Sequence, residues 1–168
     1  SLKIISHYES DPLYISALVA SINKKIKEIN WKPDLILASY HGIPKKYFDK
    51  GDPYQCYCQK TSRLLSENYK DIKIMTTFQS RFGPQEWLQP YTDKTLESLP
   101  NEGVKNLLVI CPGFSSDCVE TLEEISIQGK ESFLNAGGLN FDTVPCLNDE
   151  PDHIDLFNHL VNKYTINS

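Results

Sequence analysis

Residues 105–124 read KNLLVICPGFSSDCVETLEE, and this stretch decides how the rest of the chain is read. Leu107–Ile110 is a short, wholly apolar run of the kind found in a strand buried on both faces. Pro112-Gly113 ends it, and Ser115–Asp117 offers capping groups for a helix. On a helix from Asp117 to Asn135, the carboxylates of Asp117, Glu120 and Glu124 fall at i, i+3 and i+7 and share one face. Such a row repels itself by a few tenths of a kcal/mol per pair. A helix N-terminus offsets part of that cost. A carboxylate row at the carboxyl end of a strand suits the handling of a cation. The same Asp117-x-x-Glu120 spacing also fits a capping box, so the row alone does not choose between chemistry and structure.

Outward from this stretch the same unit recurs. Leu2–Ser6 reads as a strand, and Asp11-Pro12 opens a helix with Asp as N-cap and Pro at the first helical position. Its apolar stripe is Ile15, Leu18, Ile22, Ile26 and Ile29. Leu35–Ala38 is a buried strand, and Asp52-x-x-Gln55 starts a second helix. Ile72–Phe78, Lys105–Ile110 and Leu139–Val144 are further strands, and Thr92–Leu99 is a helix. Gly137-Gly138 sits where C-cap glycines belong, and a last helix from Pro151 has the stripe Ile154, Phe157, Leu160, Val161 and Tyr164. Five β-α units predict an α/β, Rossmann-like domain with a parallel sheet of about four to five strands and helices on both faces.

Composition narrows the class. A chain of 168 residues with 40% apolar and 23% charged residues is ordinary for one globular domain. Net charge is 17 − 22 = −5, which argues against nucleic acid as a partner. No apolar run is long enough to span a membrane and no secretory leader is visible, so a cytoplasmic location is expected. Five scattered cysteines form neither a disulfide framework nor a zinc or iron–sulfur spacing.

Ligands of such sheets bind beyond the carboxyl ends of the strands. Three loops rich in chemistry fall there: YHGIP (40–44), QSRFGPQEW (79–87) and CPGFSSDCVE (111–120). His41, at a strand exit beside Gly42 and Pro44, is a candidate base or metal ligand. Imidazole combined with carboxylate suits Fe(II) or a similar ion. Tyr40, Phe82, Trp87 and Phe114 place aromatic surface near the same edge, where they pack or floor a flat ligand. Arg81 is a candidate for a ligand carboxylate, and Gln79 lies beside it. No GxGxxG or Walker loop is present, which excludes the usual nucleotide cradles.

These three loops carry a resemblance. SYHGIP (39–44), QSRFGP with WLQP (79–90) and CPGF with DCVETLEE (111–124) are similar to the signature segments of ferrochelatases, in the family's order, in forms resembling the proteobacterial branch. The resemblance implies insertion of Fe(II) into protoporphyrin IX to give haem. It identifies residues 1–168 as the carboxyl-terminal chelatase domain, with the amino-terminal half of the enzyme as the absent partner. By resemblance, His41 and Glu120 are the catalytic and metal-handling pair, Glu124 is a further acidic position, and Asp117 has a less defined role. Tyr40, Gln79, Arg81, Trp87 and Phe114 are the expected porphyrin contacts. Some relatives carry a second His where this sequence has Cys118. No permanently bound cofactor and no iron–sulfur cluster is expected, Fe(II) being a substrate, and peripheral membrane contact is expected only of the full-length protein. The alternatives are a chelatase for sirohydrochlorin or coproporphyrin, and a half-domain that binds porphyrin or metal without turnover.

Overall fold

A computed structural model describes residues 2, 4, 5 and 7–165. The expected strand at Leu2–Ser6 lies partly outside the described residues, and Leu2, Ile4 and Ile5 belong to no strand. From there the chain runs α1 (Pro12–Glu28), β1 (Leu35–His41), α2 (Lys45–Asp49), α3 (Tyr54–Ser66), β2 (Lys73–Gln79) and α4 (Thr92–Ser98). A 3₁₀ turn at Leu99–Glu102 leads to β3 (Asn106–Ile110) and α5 (Val119–Leu122). A π-helical segment (Glu124–Gly129), α6 (Lys130–Asn135), β4 (Asn140–Thr143) and α7 (Pro151–Thr165) complete it. The four strands pair in parallel in the order β2-β1-β3-β4, so β1 and β3 lie at the centre. The α/β class is as expected, with four strands.

The helices cover both faces because the central strands are apolar on both sides. Ile36, Ala38, Tyr40, Leu108 and Ile110 pack against Leu18 and Ile22 of α1, Leu65 of α3 and Leu156 of α7. Leu35, Leu37, Leu107 and Val109 face Leu96 of α4, Ile125 and Phe133. Alternation along β1 therefore assigns its residues to opposite layers. Asp11 caps α1 as predicted, accepting from the Leu13 N–H at 3.0 Å, with Pro12 at the first helical position.

The helix expected from Asp117 to Asn135 is three segments instead. One turn of α-helix gives way to the π-helical stretch before α6 begins. Wider π turns break the 3.6-residue period, and Asp117 lies before the first turn, so the three carboxylates do not form one row.

The C-terminal helix also packs on a different stripe. His153, Leu156 and Leu160 are buried, while Ile154, Phe157, Val161 and Tyr164 are exposed. Two apolar stripes run side by side on α7. A hydrogen bond from His153 Nδ1 to the Asn148 carbonyl at 2.7 Å draws the first of them inward.

Gly137-Gly138 stops α6 in the predicted way. The Gly138 N–H reaches the Phe133 carbonyl and the Gly137 N–H that of Leu134, both at 3.0 Å, with Gly137 at φ 101°. A Cβ on Gly138 would stand 2.1 Å from the fully buried Phe133 ring. Gly138→Ala is expected to destabilise the domain by about 1–3 kcal/mol, the usual cost of overpacking, measured as a lowered denaturant midpoint. An unchanged midpoint would show that Phe133 repacks freely.

Candidate functional site

The parallel strands bring three chain segments to one sheet edge. His41 ends β1 and Gln79 ends β2, and the two are register partners. The Cys111–Ser116 loop leaves β3 beside them. His41 is half-buried, and its Nδ1 lies 2.7 Å from the Gly42 carbonyl. A carbonyl only accepts, so Nδ1 carries a proton, and in the neutral ring Nε2 is the nitrogen open to a proton or a metal. The Tyr54 hydroxyl donates to the His41 carbonyl at 2.9 Å, and Tyr14 donates to that of Pro112. Phe114 lies across from His41, with ring centroids 6.2 Å apart.

Gln79 joins these segments. It is 3% exposed. Its Oε1 accepts from Ser39 Oγ at 2.8 Å and from Cys111 Sγ at 3.6 Å. Its Nε2 donates to the Glu120 carbonyl at 2.7 Å and to Glu124 Oε2 at 3.3 Å. One buried amide thus ties β1, β3, α5 and the π-helical segment to the end of β2. Ser39, Thr92 and Thr77 continue the network as a buried chain of hydroxyls.

The three carboxylates have separate environments. Glu124 is held by Ser80, whose N–H donates at 2.7 Å and whose hydroxyl donates at 2.5 Å. Ser80 makes both bonds from a left-handed backbone, φ 62°. Asp117 is engaged too, by Thr121 Oγ1 at 3.1 Å, the Cys146 N–H at 3.2 Å and Asn148 Nδ2 at 2.8 Å. The cap of α5 is Cys118 with Thr121, not Asp117 with Glu120. Glu120 is half-buried in the single turn of α5. Its acid is held below the usual range first by a hydrogen bond from the Cys118 thiol and next by its own N–H. Partial burial opposes this, and the electrostatic effect of His41 adds to it.

Asp117 yields a pH test. Burial raises its acid, but donors from Asn148, Cys146 and Thr121 outweigh this and leave it lowered. A lowered folded value adds stability that is complete above the unfolded value, about 3.9, and is lost as pH falls through the folded one. Asp117→Asn is expected to flatten the stability profile below about pH 4 relative to wild type, read from denaturant midpoints. Parallel profiles would contradict this.

Several of the expected contact residues have partners within the protein. Tyr40 is buried on the α1/α3 face, 2.9 Å from Ser62 Oγ. Alternation with His41 turns it away. Gln79 is buried and fully used. Arg81 is exposed but pairs with Asp93 at 2.5 Å and lies over the Tyr91 ring, 4.3 Å from its centroid. Glu124 faces Ser80 and not His41. Among the described residues no three His, Cys, Asp or Glu side chains converge to hold a metal, so His41, Glu120 and Glu124 are not a preformed ligand set.

Trp87 and Phe114 do reach the edge, each half-buried. Trp87 donates from Nε1 to the Phe82 carbonyl at 3.0 Å, and its ring lies where a Cβ on Gly42 would come within 3.3 Å. Gly42 thereby lets the 80–90 loop close over the end of β1. Sequence reasoning missed the joining role of Gln79, and the parts played by Ser80, Thr121 and Asn148.

A cavity of about 190 Å³ beside this edge is lined by Tyr14, Tyr40, Tyr54, Cys58, Pro112 and Phe114. Another, of about 260 Å³, is lined by Gln79, Ser80, Arg81, Thr92, Asp93 and Glu124. No helix among the described residues is long and apolar enough to cross a membrane.

A parallel four-stranded sheet with its reactive loops at one edge is a chelatase-like α/β architecture. The chain is similar in structure to a multi-domain protein from Deinococcus radiodurans described as structurally similar to chelatases, with a TM-score of 0.57 at 12% identity. That match covers 89% of this chain and 29% of the other. Residues 1–165 match the family model for ferrochelatase, and the chain belongs to the ferrochelatase family. It is 56% identical to a ferrochelatase of Rhizobium meliloti (strain 1021) over 97% of this chain and 49% of the relative. It is 53% identical to one of Allorhizobium ampelinum and 52% identical to one of Rhizobium etli (strain CIAT 652), each over 97% of this chain and 48% of the relative. The chain spans about half the length of the curated relatives it matches.

Proposed function

We propose that this chain is the carboxyl-terminal half of an enzyme that inserts Fe(II) into protoporphyrin IX, and that His41 and Glu120 are the groups that meet the reacting centre. The observation that carries the reading is the hydrogen bond of His41 Nδ1 to the Gly42 carbonyl at the strand exit, which leaves Nε2 as the ring's open nitrogen, with Glu120 near enough for His41 to contribute to the lowering of its acid. Metallation needs an acceptor for two pyrrole protons and a route by which iron sheds water. A neutral imidazole takes one proton at a time, passing the first to solvent before it accepts the second, and a carboxylate offers iron an oxygen in place of water. Phe114 and Trp87 offer apolar surface for the macrocycle. Walls that bend it would expose nitrogen lone pairs, using binding energy from the remainder of the ring. Iron enters as substrate, so the reaction requires no resident cofactor and no iron–sulfur cluster.

The amino-terminal half of the same enzyme is the proposed partner that encloses the porphyrin. The half-length match also favours a second reading for the isolated chain: porphyrin or metal binding without turnover. The experiment is to assay porphyrin fluorescence during addition of ferrous iron or zinc, with the chain alone and with the complementary half co-expressed. Loss of fluorescence with iron, or a shift to zinc-porphyrin emission with zinc, in the paired sample supports metal insertion. Binding without metallation in both samples selects the second reading. Metallation of sirohydrochlorin in place of protoporphyrin would move the assignment to another chelatase.

A further inference from the structure

We infer that Asn148, in the turn between β4 and α7, is a positioning residue for Glu120; the inference rests on the iron-insertion reading above. Asn148 has φ 47°, in the left-handed region where Asn is among the few side chains tolerated. That backbone lets a single residue grip the loop leading into α5. Its N–H donates to the Ser115 carbonyl at 3.0 Å. Its Oδ1 accepts from the Asp117 N–H at 2.8 Å, and its Nδ2 donates back to Asp117 Oδ2 at 2.8 Å and to the Cys146 carbonyl at 3.0 Å. Behind it, the buried His153 donates to its carbonyl. Every polar atom of Asn148 is used.

The consequence falls on Glu120 because α5 is a single turn of four residues. A turn that short has no stability of its own, so its place is set by its tertiary ties. On the β2 side the tie is Gln79 Nε2 to the Glu120 carbonyl. On the β4 side it is Asn148 paired with Asp117, whose carboxylate in turn receives Thr121 from the same turn. With the second tie cut, the start of the turn, which carries Glu120, loosens, while Ser126, which donates to the Thr121 carbonyl at 2.9 Å and lies 3.0 Å from Thr143 Oγ1, still holds its end. Asp117 and Asn148 thus act through Glu120, outside the reacting groups.

The test uses the full-length protein with Asn148→Gly, Asn148→Asp and the exchange pair Asp117→Asn with Asn148→Asp. Glycine keeps the left-handed backbone without strain, so this variant folds even if the others do not. Aspartate sets two carboxylates against each other, and the exchange restores one acid facing one amide. Each single variant is expected to lose about 10- to 100-fold in kcat, the range for groups that orient a metal-handling side chain. The KM for porphyrin should stay within about twofold, because the binding surface is untouched. Alkylation of Cys118 by iodoacetamide, followed by peptide mass spectrometry, should accelerate in both single variants as the turn loosens. The exchange pair should recover most of both effects. Wild-type kcat and Cys118 rates in Asn148→Gly, or an exchange pair no better than Asn148→Asp, would overturn the inference. If the protein metallates no porphyrin at all, the iron-insertion reading falls, and the Cys118 rates alone decide the positioning claim.

Discussion

Substitution of His41 by alanine is expected to lower porphyrin metallation by about 10²- to 10⁴-fold, the contribution of a positioned acid–base group, while the fold survives. The imidazole is half-buried at the end of β1, and its side-chain hydrogen bond is the short local one to the Gly42 carbonyl. Stability should change by no more than about 1 kcal/mol. The porphyrin KM should hold, because the aromatic surface at the edge belongs to Phe114 and Trp87. Turnover in the variant within about twofold of wild type would remove His41 from the reacting groups.

Gln79→Glu is expected to have the larger effect on the fold, although it changes a single atom. The new carboxylate oxygen would face the Glu120 carbonyl and the Glu124 carboxylate, both of which now accept from Nε2. Two donor contacts are lost and a buried charge is left without a partner, a change that costs about 3–5 kcal/mol. Gln79→Leu should cost less, about 2–4 kcal/mol, because it removes the hydrogen bonds without adding charge. That order, glutamate worse than leucine, separates a buried donor to acidic neighbours from a packing residue. It would be read from equilibrium denaturation of both variants. Leucine worse than glutamate would mean that the amide is not the joint described here.

The architecture was legible wherever the signal was local. Asp11-Pro12 caps α1 and Gly137-Gly138 closes α6 because each depends on a few neighbouring atoms. The outer stripe of α7 misled because Ile154, Phe157 and Val161 form as good a helical pattern as His153, Leu156 and Leu160, and only tertiary packing selects between them. At the site, His41 was findable from its place at a strand exit. The burial of Tyr40 was legible in its alternation with Ile36 and Ala38, which puts it in the α1/α3 layer. The orientation of Glu124 was not legible, because residues 124–129 wind as a π-helix and leave the α-helical period. Gln79 and Asn148 owe their roles to partners 40 and 31 residues away, and no local pattern announces such pairs.

The central claim is that iron is handled between the Nε2 of His41 and the carboxylate of Glu120. A crystal of the full-length protein soaked in cobalt or zinc and measured at the metal's absorption edge tests it most directly. The predicted result is an ion at about 2.0–2.2 Å from His41 Nε2 with Glu120 on its open side. An ion bound elsewhere, with His41 Nε2 bare at full metal occupancy, would contradict it.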